Sequence, residues 1–123
     1  MKFAKKDVVL KKLSEHVIVW EYCTKGQRPP IDAAIAYVHG VLGPKTNLDF
    51  AELFYVLEGS LQVVLDDHTL ILEKGDVGII PSGRRHTLHG YHAKLFISCS
   101  PPFDATKVVF DSNPAVEMQN QTV

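Results

Sequence analysis

The residues of this chain best suited to chemistry lie in and just before one stretch, Gly75 to His86, which reads GDVGIIPSGRRH. Gly75-Asp76 is turn chemistry, because glycine permits a positive φ and aspartate bonds its own nearby backbone. Val77 to Ile80 is β-branched apart from Gly78 and suits a buried strand. Pro81 stops the pairing, since it has no N–H to donate. Ser82-Gly83 then turns the chain again and delivers His86. An imidazole held by two turns at the mouth of a strand pair is well placed to move a proton. The second such residue is Glu52, in AELFYVLEG. Side chains two apart on a strand share a face, so Glu52, Phe54 and Val56 point one way and Tyr55 the other. By the same count His86 and Leu88 share a face.

The rest of the chain must position these groups. Its 123 residues suit one domain, with a core over about residues 8–103 and a polar C-terminal arm over about 111–123. Val8–Leu13, Val17–Cys23 and Ala33–His39 read as strands, and Lys25–Asp32, with two prolines and a glycine, as a loop. Gly43-Pro44 marks Gly40–Asp49 as another loop. Ala51–Glu58 is expected to end at Gly59, with Ser60–Leu65 pairing back on it. Asp66-Asp67-His68 turns into Thr69–Leu72, and Lys94–Ser100 is a last core strand before Pro101-Pro102. Many short strands with Gly, Pro and Asp turns and hardly any helical periodicity predict an all-β sandwich or barrel, of which the jelly roll encloses a central pocket.

Composition removes several classes of function. The formal charge of −1 offers no basic field to nucleic acid or an anionic membrane. No run is long enough for a transmembrane helix. The N-terminus MKFAKKDVVLKKL lacks the apolar centre of a signal peptide. Cys23 and Cys99 have no CxxC spacing and read as reduced thiols in small core positions, which points to the cytoplasm.

Two spacings carry a resemblance. Gly75, Pro81, Gly83 and His86 fall on the fixed positions of the second motif of the cupin superfamily, and Gly40, Glu52 and Gly59 on those of the first. The chain therefore resembles a small single-domain cupin over about residues 35–101, which implies a jelly-roll (double-stranded β-helix) barrel. In metal-binding cupins two H-x-H histidines, the glutamate and the second-motif histidine hold one divalent metal. Here the H-x-H positions carry Thr46 and Leu48, or, with one residue more in the spacing, Lys45 and Asn47. Only Glu52 and His86 remain as ligands, which disfavours a resident metal because catalytic sites usually need three protein ligands.

The resemblance turns both Glu52 and His86 into the barrel. They are then a general acid/base pair, with either partner able to titrate near neutral pH, or a leftover ion pair without a task. Phe54, Val56 and Leu88, with Lys45, Asn47 and Arg84, are the expected ligand-pocket residues. If Lys45 reaches the space of a missing histidine, its ammonium replaces the metal's charge beside Glu52. Arg84 and Arg85 can hold an anion, and His16, His68, His89 and His92 read as surface or turn residues. The resulting expectation is an acid/base enzyme of isomerase, epimerase, lyase or cyclase type acting on a small polar organic molecule. The alternatives are a non-catalytic binding or sensing module and a metal enzyme with an unusual ligand set. The resemblance also implies a homodimer formed through the apolar strand that contains Trp20.

Overall fold

A computed structural model describes residues 1–24 and 29–111. Its strands are β1 (Val9–Ser14), β2 (Val17–Glu21), β3 (Ala34–Asn47), β4 (Ala51–Leu65), β5 (Thr69–Glu73), β6 (Val77–Ile80), β7 (Arg85–Ser100) and β8 (Val108–Phe110). Single 3-10 turns lie at Lys5–Asp7 and Ala105–Lys107. The strands run β1-β2-β3-β7-β4-β5, with β6 also on β4 and β8 on β3, all antiparallel. The all-β jelly-roll barrel expected from the sequence is the fold of the chain.

Three long strands make the barrel, and they explain where the sequence reading went wrong. Ala51–Glu58 does not end at Gly59, and Ser60–Leu65 does not fold back on it. Both halves belong to β4 and pair with successive halves of β7, with register shifts between Val56 and Ser60. A bulge bends a strand without ending it. Gly59 has φ 73°, and a Cβ there would lie 2.1 Å from the His92 carbonyl oxygen. The bulge also changes the phase: β4 buries Glu52, Phe54 and Val56 before it, and Leu61 and Val63 after it. In the same way most of the loop expected over Gly40–Asp49 is the second half of β3, bent at Gly43 (φ 114°). The HGYH segment, read as near a turn, lies within β7, although His89 and His92 are exposed as expected. The polar arm beyond Asp111 and the Lys25–Arg28 part of the predicted loop lie outside the described residues.

The core lies between the inner faces of the long strands. Phe54, Val56, Leu61, Val63, Ala93 and Leu95 are wholly buried within it. Burying a side chain such as Phe54 or Leu95 contributes about 1.5–3 kcal/mol. That gain lets the fold hold a few polar groups at one end of the barrel.

Candidate functional site

Four polar side chains are buried together where β3 ends and β4 and β7 begin. Lys45 (7% exposed) and Asn47 (1%) come from β3, Glu52 (6%) from β4 and His86 (1%) from β7. Their placement follows from the ladders. Lys45 stands opposite His86 across β3 and β7, and Glu52 stands opposite Cys99 across β4 and β7. The Pro81–Arg84 turn is pinned to the end of β3 by the Gly83 N–H, which donates to the Asn47 carbonyl oxygen at 2.7 Å. This contact sets where β7 starts, and hence where His86 enters.

Glu52 is the hub of the group. Asn47 Nδ2 donates to Glu52 Oε1 at 3.1 Å, and Lys45 Nζ lies 3.9 Å from the same oxygen. The Cys99 thiol approaches Oε2 at 3.9 Å. His86 Nδ1 donates to the Arg84 carbonyl oxygen at 2.9 Å, which leaves the lone pair of the neutral ring on Nε2. That Nε2 and Asn47 Oδ1 are buried with no hydrogen-bond partner among the described residues. Unpaired buried acceptors are rare enough to need a reason.

The electrostatics bear on the protonation of the ring. Burial holds His86 below the ordinary imidazole pKa, the Lys45 charge adds to this, and the Arg84 carbonyl and Glu52 oppose it. The neutral ring, with its lone pair on Nε2, is therefore the favoured form of His86. It is not the hydrogen-bond partner of Glu52, whose contacts go to Asn47 and Lys45. Burial, followed by the Glu52 and Asp32 carboxylates, pushes the Cys99 thiol well above its usual range, so it stays protonated.

Beside this group lies a cavity of about 680 Å³. Val17 and Val19 of β2, Val38 and Leu42 of β3, Phe54 of β4, and Leu88 and Ile97 of β7 form its walls, and Lys45 and Glu52 sit at its buried end. Among the expected pocket residues, Phe54, Leu88 and Lys45 line it. Asn47 and His86 do not, and Asn47 is linked to it through Glu52. Two expectations fail outright. Val56 is wholly buried in the core away from the cavity, because it lies further along β4. Arg84 leaves the barrel with its turn and pairs with Asp67 at 3.1 Å. Sequence reasoning missed Asp32, whose two carboxylate oxygens accept the Cys99 and Phe103 N–H groups at 2.7 Å and tie the rim together. It also missed the β2 wall, although the alternation Val17, Val19, Glu21 carried that signal.

The divalent metal of the resembling family does not fit these donors. Glu52 offers a carboxylate and His86 a lone pair, but Lys45 already sets a positive charge beside that carboxylate. Among the described residues no group of three or more His, Cys, Asp or Glu could hold a metal ion.

A second gathering of rings lies outside the barrel. His39 and His92 stack at 4.2 Å, Tyr37 Oη and His92 Nδ1 are 2.8 Å apart, and His16 and Tyr91 pack against His39. His92 has φ 43° and is exposed.

Residues 46–94 match the sequence pattern of the Cupin domain. No curated protein matches the chain. Among solved structures, a variant of Streptomyces PAC13 with uridine superposes with a TM-score of 0.76 at 15% identity, over 89% of this chain and 88% of that one. Pac13 is described as a nucleoside dehydratase. KdgF from a Halomonas species superposes with a TM-score of 0.69 at 16% identity, covering 86% and 97%. A putative ethanolamine utilization protein from Salmonella typhimurium LT2 gives 0.60 at 24%, covering 72% and 71%. These likenesses show a shared fold. The matched segment and the shared fold make the chain similar to cupin proteins over residues 46–94. Among the described residues no helix is long and apolar enough to cross a membrane.

Proposed function

We propose that the cavity binds a small molecule and moves a proton on it, with Glu52 as the base and Lys45 as the fixed positive charge. The buried Lys45–Glu52–Asn47 constellation at the end of an apolar cavity carries this reading. A ligand carbonyl oxygen accepts a hydrogen bond from the Lys45 ammonium. Glu52 takes the proton from the adjacent carbon, and the electron pair of the broken C–H bond moves onto that oxygen as an enolate. Fixed donors aimed at developing charge in a dry site are the strongest catalytic aid a protein can supply. Return of the proton to the same carbon or a conjugated one gives epimerase or isomerase chemistry. Loss of a β-leaving group gives lyase chemistry. His86, kept neutral, is a second acceptor beside the pair.

A binding or sensing module is the second reading, and one observation favours it: Lys45 already offsets the charge of Glu52 at rest. Deuterium wash-in at the ligand's acidic carbon, followed by NMR, separates the two. The enzyme reading expects exchange that falls at least a hundredfold in Glu52→Gln while binding persists. Binding without exchange in the wild-type protein would favour the module.

The same reading includes a homodimer. Leu10, Trp20, Ile35, Phe96, Tyr55 and Val77 are successive cross-strand neighbours. They form an apolar row across the outer face, with Leu10, Tyr55 and Val77 exposed. A second copy laid on this face would cover the row. Light scattering that finds a 13.7 kDa particle at micromolar concentration would remove the dimer.

A further inference from the structure

Resting on the reading of the cavity as a ligand site, we infer that its ligand is a carbon-rich molecule with one polar head, rather than a sugar or nucleoside. The head is a carbonyl or carboxylate seated on Lys45.

The wall supports this residue by residue. Val17, Val38, Leu42, Phe54, Leu88 and Ile97 offer no hydrogen-bonding side chain, and they lie on strands whose N–H and C=O groups are largely committed to the ladders. The polar groups nearer the rim are largely engaged. Asp32 uses both carboxylate oxygens on backbone N–H groups, and Glu21 pairs with Lys11 at 3.1 Å. The half-buried Tyr22 and the exposed Thr24 add hydroxyls to the lining, and the buried end holds the ammonium of Lys45 and the carboxylate of Glu52, side by side. A polyol entering here would strip water from several hydroxyls and find aliphatic carbon in return, which is costly for each one. A nucleoside such as the uridine of the PAC13 structure would leave both its base edges and its ribose hydroxyls in that position. A fused-ring or branched aliphatic body gains from the same wall, and about 680 Å³ is the range of cavities that enclose drug-sized ligands. With one donor and one carboxylate at the end, the head that fits is an acceptor with an acidic C–H beside it, or a carboxylate facing the ammonium alone.

The test uses 1-tetralone, a bicyclic ketone with an acidic C–H next to its carbonyl, against uridine and glucuronate. Each is titrated into the full-length protein by calorimetry. The expected result is saturable one-to-one binding of 1-tetralone, at least tenfold tighter than either polar probe. Leu42→Asn, which sets an amide into the wall, should weaken it at least tenfold, as should Lys45→Met at the head. If Leu42→Asn does not fold, Ile97→Thr makes the same test. Uridine or glucuronate binding as tightly as 1-tetralone would overturn the ligand class. So would 1-tetralone affinity that ignores the wall variant, or no binding of any probe at millimolar concentration. Affinity unchanged in Lys45→Met would overturn the seating of the head. Tight 1-tetralone binding with no Glu52-dependent deuterium exchange would instead sink proton transfer and leave the ligand class intact, so the two failures are distinguishable.

Discussion

His86 and His92 lie on the same strand, β7, and meet opposite fates. His86 is 1% exposed, its Nδ1 is bound to a backbone carbonyl, and its Nε2 has no partner among the described residues. His92 is exposed, its Nδ1 meets Tyr37 Oη, and its ring stacks on His39. Counted by residue type, the outer cluster is the richer of the two, with three histidines and two tyrosines. None of its five residues lines the 680 Å³ cavity, and its rings are exposed or half-buried at the surface. The inner group has one histidine, one glutamate, one lysine and one amide, all desolvated and beside an empty volume. Residue type shows where chemistry is possible; burial, with acceptors left unpaired, shows where it is prepared.

The comparison is broken most directly at Lys45. Lys45→Met leaves the Glu52 carboxylate buried with only neutral donors, the Asn47 amide and the Cys99 thiol, beside it, and uncompensated buried charge typically costs about 3 kcal/mol or more. Urea unfolding should show a loss of that size. Adding Glu52→Gln should recover part of it, because the charge that needed Lys45 is then gone. On the outer cluster, His92→Ala removes a hydrogen bond and a stacking contact in water and should cost under about 1 kcal/mol. Equal losses at the two places would mean that burial does not distinguish them.

The pH dependence of stability sharpens the same contrast. In the fold His86 resists protonation, whereas in the unfolded chain it titrates at the ordinary imidazole pKa, near 6.5. Below that value the unfolded state binds the extra proton, so stability should hold above about pH 6.5 and fall as the pH drops through it towards the lowered folded pKa. His86→Gln should flatten this part of the curve. Asp67 and Asp111, held low chiefly by hydrogen bonds from His68 and Arg85, act in a separate and more acidic window. Their contribution is present above the ordinary carboxylate pKa and lost below it. If the curve between pH 7 and 5 is the same in wild type and His86→Gln, the buried ring is not the group that titrates.

Much of this site was legible in the sequence, and for identifiable reasons. Period-two alternation placed Glu52 and Phe54 on one face and Tyr55 on the other, and the turn chemistry of GDVG and PSG bracketed β6 correctly. Gly59 and Gly43-Pro44 misled, because the residues that end a strand are the ones that also bend it. Only the long pairing with β7 decides between the two outcomes, and that pairing joins residues far apart in sequence. The choice between Thr46/Leu48 and Lys45/Asn47 for the missing histidine positions was open for the same reason. The register shift between Leu42 and Lys45 turns Lys45 and Asn47 inward and leaves Leu48 exposed. A bulge of this kind leaves no mark in a single chain's composition. The error at Arg84 has a different cause: nearness to His86 in sequence was read as nearness to the pocket, and a turn separates them.

Arg84 gives the smallest predicted effect and the narrowest test of where the site ends. Its guanidinium reaches Asp67 at 3.1 Å across the outside of the barrel, and surface ion pairs of this kind contribute little because water already solvates both partners. Its backbone carbonyl, by contrast, holds His86 Nδ1. Arg84→Ala keeps that carbonyl and removes only the side chain. Ligand affinity, deuterium exchange and the pH curve should all match wild type, and the unfolding midpoint should not move measurably. Arg84→Pro alters the backbone that aims the carbonyl, and should disturb the pH curve where the alanine variant does not. A loss of affinity in Arg84→Ala would show that the turn carries its side chain to the ligand, and would move the boundary between the two regions outward past Gly83.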